Sequence, residues 1–139
     1  MMSANQMNLH IGPFQCDVID TNGATLCIPT GPVEVLEKYF KSPYPSELEI
    51  EYAIAYIEDC VIPLDKIISD QRQILNVSAQ LPDINLEEMI PRGQMLDLDK
   101  FESIFNSALR RSGSKEVIAT LLIIRECLHH LRFTTLMGS

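Results

Sequence analysis

The chain has 139 residues, enough for one domain that buries about two-thirds of its unfolded surface without a disulfide or metal staple. Its 46% hydrophobic and 22% charged content excludes a disordered chain. A net charge of −8 argues against a nucleic-acid binder, which must neutralise phosphates with Lys and Arg.

The charge is lopsided: residues 1–70 hold 11 acids against 3 bases, and residues 71–139 hold 8 of each. Such an acidic balance speaks first to solubility. The four cysteines, Cys16, Cys27, Cys60 and Cys127, form no CxxC pair and match no zinc spacing. A cytoplasmic protein with reduced thiols is the expectation.

In chain order, residues 1–9 are polar and read as a flexible tail, without the basic and apolar regions of a signal peptide. Residues 10–139 read as a single globular domain. Gln15 to Ile28 predicts a hairpin turning at Asn22-Gly23, the favoured pair for a two-residue type I′ turn. That turn pairs Thr21 with Ala24, Ile19 with Leu26 and Val18 with Cys27, and puts Cys16, Val18 and Cys27 on one side.

Pro32 opens a short helix reaching about Lys41, and Ser42-Pro43-Tyr44-Pro45 breaks it. Ser46-Glu47-Leu48-Glu49 is a capping box opening a longer helix, with Ile50, Ala53, Ile54, Ile57, Cys60 and Val61 on one face. Glu47, Glu51 and Glu58 form an acidic stripe beside that face, and Tyr52 and Tyr56 an aromatic edge. Pro63 ends this helix, and Leu64 to Leu75 reads as another. Residues 78–92 read as a linker with a short helical turn at Leu86 to Met89. Asp97 or Asp99 caps a helix through Arg111, with Phe101, Ile104, Phe105 and Ala108 inward, and Ser112-Gly113 closes it.

The last helix, from Ser114 to Phe133, is apolar nearly all round. Val117, Thr120, Leu121, Ile124, Cys127, Leu128 and Leu131 form its core face. Ile118, Leu122, Ile123 and Phe133 lie outside that face, with Arg125 and His129 at their rim. Either the helix runs through the middle of the domain, or this strip is an interface with a second copy or another protein.

Chemical motifs are sparse. His129 and His130 point about 100° apart on a helix and cannot share an ion. The Glu126-x-x-His129 spacing occurs once, whereas di-iron bundles need two copies. There is no GxGxxG, Walker loop or GxSxG. No apolar run approaches the roughly 20 residues that span a bilayer.

The reading that follows is an α+β fold: an N-terminal β-hairpin, alone or within a small antiparallel sheet, packed on four to five helices. Its expected function is a cytoplasmic interaction or regulatory domain, homodimeric or bound to a protein partner, without catalytic machinery, metal or cofactor. The alternative is a small-ligand-binding protein or enzyme with a pocket between the hairpin and the helix at 46–61, lined by Tyr52, Tyr56 and a histidine. A third reading is an acidic module that binds a basic protein through Glu47, Glu51 and Glu58.

Overall fold

A computed structural model describes residues 6–20, 22–68, 72–81, 84–111 and 114–139. Its centre is a six-stranded mixed sheet. The strands are β1 (Gln6–Ile11), β2 (Cys16–Ile19), β3 (Thr25–Ile28), β4 (Ile74–Ala79), β5 (Met95–Asp97) and β6 (Thr135–Gly138), in the order β3-β2-β1-β4-β6-β5. β1, β4 and β6 run parallel, and β2, β3 and β5 run antiparallel to their neighbours. Helices α1 (Pro32–Tyr39) and α2 (Glu47–Val61) connect β3 to β4, and α3 (Leu98–Arg110) and α4 (Lys115–His130) connect β5 to β6.

The fold is therefore α/β, and the expected hairpin on a helical body is corrected. The stretch from Gln6 expected to be a tail is β1, a central strand with Met7, Leu9 and Ile11 fully buried. The helix expected over Leu64 to Leu75 is a 3-10 turn at Ile62–Lys66 followed by β4. β4 does alternate, with Leu75 and Val77 buried and Ser78 partly exposed, but six residues are too few for the period-two signal to stand out from the helical spacing of Leu64, Ile68 and Leu75.

The hairpin exists as β2 and β3, one residue out of the expected register. Asp20 N–H donates to the Ala24 carbonyl (2.8 Å) and Gly23 N–H to that of Asp20 (2.9 Å), with Gly23 at φ 87°. The loop thus spans one residue more than a two-residue turn, and Asp17 faces Cys27. A one-residue slip moves every side chain on one strand to the other face. Cys16 and Val18 go to the core, while Cys27 stays exposed. The expected Thr21 pairing lies outside the described residues.

The helix caps follow the sequence. Ser46 and Glu49 complete the capping box. Asp97 accepts the Lys100 N–H (2.8 Å), and Ser114 accepts that of Val117 (3.2 Å). α4 packs against α1, α2 and α3, and its Cys127 lies toward Cys16 of β2. From Ile118 to Ile124 every α4 residue is buried. Such a helix must be apolar all round, because the sheet, α1, α2 and α3 leave it no wet face.

One face of the sheet holds Met7, Leu9, Ile11, Cys16, Val18, Leu75, Val77 and Leu136 in this core. The other carries Gln6, Asn8, His10, Asp17 and Ser78, all partly exposed. Among the described residues, no helix is long and apolar enough to cross a membrane.

Candidate functional site

The carboxyl ends of β1, β4 and β6 meet along one edge of the sheet. In open α/β sheets ligands bind outside that edge. Here a cleft of about 210 Å³ opens at the ends of β4 and β6. Val77, Ser78 and Ala79 line it from β4, and Ser139 lines it from the end of β6. Ile84, Asn85, Leu86, Glu87, Ile90 and Arg92 close the opposite wall.

That wall is held by backbone contact. A side chain at Gly138 would place its Cβ 2.4 Å from the Pro91 carbonyl oxygen, so only glycine lets the loop lie across the strand end. Gly93 N–H then donates to the Gly138 carbonyl (2.8 Å). Asn85 Oδ1 caps the 3-10 turn Leu86–Glu88 by accepting the Glu87 N–H (3.1 Å). The result is an Arg92 guanidinium at the cleft, 2.9 Å from the Glu87 carboxylate. Both side chains are mostly exposed, so the pair is worth about 1 kcal/mol or less and is easily exchanged for another anion.

Strand register adds a polar row on the uncovered face. Cys27, Asp17, His10 and Ser78 sit side by side on β3, β2, β1 and β4. His10 Nδ1 lies 2.9 Å from Ser78 Oγ, and the imidazole tautomer sets which of them donates. Ser78 thereby joins the row to the cleft. Gln15 Nε2 donates to Asp17 Oδ1 (3.2 Å), fixing the carboxylate beside the β1–β2 turn.

The thiols are not poised for chemistry. Burial pushes Cys16 up to about 12 and Cys127 well above its ordinary value, and such groups stay protonated. The N-terminus of α1 is no anion site either, because Val33 N–H is spent on the Pro13 carbonyl (2.9 Å). A larger groove of about 470 Å³ lies between Met89, Ile104, Ala108 and Val117, away from the strand ends.

The residues singled out in the sequence are scattered. Ile118, Leu122, Ile123 and Phe133 are at most 2% exposed and packed inside the chain. Arg125 bridges Glu102 (2.5 Å) and Glu126 (3.2 Å) over the Phe105 ring. His129 is exposed, and partial burial, seconded by Arg125, lowers its pKa. Glu47 and Glu51 are exposed on α2, whereas Glu58 turns toward His130 and Glu126. Tyr52 is exposed. Tyr56 packs on Tyr39 and donates to Glu34 of α1 (3.1 Å).

Sequence reasoning missed Ser78, Asn85 and Arg92 because residues 78–92 read as a linker, and Ser139 because it lies beyond the last expected helix. The Pro91-Arg92-Gly93 turn was the available signal, since it places a cation on a tight loop.

No family model and no curated protein sequence matches the chain. Solved structures do. The Aquifex aeolicus PPX-GPPA enzyme superposes with a TM-score of 0.75 at 15% identity, covering 99% of this chain and 54% of that one. An exopolyphosphatase-like protein gives 0.77 at 11% identity, covering 99% and 55%. An exopolyphosphatase from Cytophaga hutchinsonii gives 0.76 at 13%, covering 100% and 54%. At these identities the likeness shows the fold, and the chain spans about half the length of the solved chains it matches. The expectation of a homodimeric interaction module without catalytic machinery is corrected here: the fold is one found in Ppx/GppA-type enzymes. The ligand-binding or enzyme alternative accords better with it.

Proposed function

We propose that this chain is a phosphate-ligand-binding domain of the Ppx/GppA type, holding a phosphorylated ligand in the cleft at the strand ends. The observation that carries the proposal is the coincidence of a polar cleft with the carboxyl edge of a fold shared with those phosphatases. Arg92 supplies the cation, releasing Glu87 for a phosphoryl oxygen, since a phosphate offers it more acceptors than one carboxylate. Ser78, Ser139 and Asn85 supply polar contacts, and His10 orients the Ser78 hydroxyl. The chain corresponds to half of each matched protein, so hydrolysis is assigned to a larger assembly and binding to this domain. Four unpaired thiols suit a reducing, cytoplasmic location.

Titration calorimetry with tripolyphosphate and with a nucleoside triphosphate tests this. Saturable binding that Arg92→Ala weakens about tenfold or more, the scale of a charged hydrogen bond, supports it. A folded protein that binds neither ligand overturns it.

A further inference from the structure

Glu126 is a carboxylate only 2% exposed, a costly place for a charge. It sits on α4 one turn before His130, and Glu58 reaches both from α2. One ligand atom from each of the three lies within 4.8 Å of the others. His130 Nε2 is 3.3 Å from Glu126 Oε1 and 3.4 Å from Glu58 Oε1.

Those separations are long for charge-assisted hydrogen bonds, which run about 2.7–2.9 Å. One Nε2 proton also cannot serve two carboxylates well. They do match the edge of a tetrahedron around zinc: bonds of about 2.0–2.2 Å put neighbouring ligand atoms about 3.3–3.6 Å apart. The charge balance points the same way. The cluster holds two carboxylates, Glu58 and Glu126, and Arg125 must serve both Glu126 and the neighbouring Glu102. Burial and the neighbouring Glu58 raise the Glu126 pKa, while Arg125 and His130 oppose them. The Glu126/His130 pair stands at i, i+4, the spacing by which one helix face presents two ligands to one ion.

We propose that Glu58, Glu126 and His130 form a zinc-class divalent metal site with one position left for water. It lies near the C-terminal ends of α2 and α4, and α4 leads within a few residues to the start of β6, the strand end opposite the cleft. A metal there clips α2 to α4 and stabilises the fold, and it takes no part in events at the cleft.

The test is zinc titration of the metal-stripped full chain, read by calorimetry and thermal melting. Glu58→Gln and His130→Gln serve as variants, because Glu58 and His130 are partly exposed and tolerate replacement better than buried Glu126. One equivalent bound, a raised Tm, about tenfold or greater weakening in both variants, and little response to Mg²⁺ or Ca²⁺ support the site. No stoichiometric uptake by the native chain overturns it. So does equal uptake by native protein and both variants, which would place the zinc elsewhere.

Discussion

His10 and Ser78 occupy matching positions on the parallel strands β1 and β4, with Nδ1 and Oγ 2.9 Å apart. This pair ties the uncovered sheet face to the cleft wall. Replacing Ser78 with alanine removes one hydroxyl without disturbing the strand, since its side chain is only partly buried. Tripolyphosphate affinity is expected to fall about five- to tenfold, on the scale of a hydrogen bond of about 1 kcal/mol, while Tm stays within a few degrees. His10→Ala is expected to give a smaller loss. Equal affinities in native protein and Ser78→Ala would remove Ser78 from the site.

The fold also rests on Arg72, whose side chain is only 2% exposed. Its guanidinium donates to Asp65 Oδ1 (2.6 Å) and to the backbone carbonyls of Asp65, Ile68 and Leu131. Arg72→Met leaves those carbonyls without this donor and is expected to cost about 1.5–3 kcal/mol in urea unfolding.

Asp65 makes that connection pH-dependent. The Arg72 hydrogen bond, reinforced by Arg132, holds its carboxyl below the ordinary aspartate value against the opposing effect of burial. A depressed folded pKa stabilises fully above the unfolded value of about 3.9 and loses its contribution as pH falls through the folded one. Stability measured from neutral pH downward should therefore drop more steeply below about pH 4 in the native chain than in Asp65→Asn. Parallel acid limbs would rule out this contribution.

Thiol labelling reads the strand register directly. Cys27 is exposed on β3, Cys60 is half-buried, and Cys16 and Cys127 are enclosed with their thiols pushed up by burial. At about pH 8 a disulfide reagent should modify Cys27 fastest and Cys60 more slowly. Cys16 and Cys127 should react only after unfolding. The register expected from a two-residue turn would instead hide Cys27 beside Cys16, so a slow Cys27 would favour it.

Four helices and the β2–β3 hairpin were legible in the sequence, and the rest of the sheet was not. Ser46, Asp97 and Ser114 announce their helices by side-chain caps, which depend only on neighbours a few residues away. β1, β4 and β6 pair with partners about sixty to seventy residues distant, as Leu9 with Val77 and Leu75 with Leu136. Such pairing leaves no local signature in four- to six-residue strands. The apolar surround of α4 was visible, but periodicity alone cannot distinguish a partner chain from a helix and sheet of the same chain. Ile118 and Leu122 proved to face the latter. Leu122→Ala should accordingly cost about 2–5 kcal/mol in equilibrium unfolding, the range for a buried leucine. A near-neutral result would mean that this side chain is not enclosed.

The cleft escaped notice because its walls, Ser78, Asn85, Arg92 and Ser139, are brought together by the β4–β6 pairing and by the Gly138 contact, neither of which is local. The most direct measurement of the central claim is an NMR titration of the ¹⁵N-labelled chain with tripolyphosphate. Ligand binding at the strand ends should shift the amides of Ser78, Asn85, Arg92 and Ser139 together along one saturable curve. Saturable shifts confined to another surface, or none in the folded protein, would contradict it.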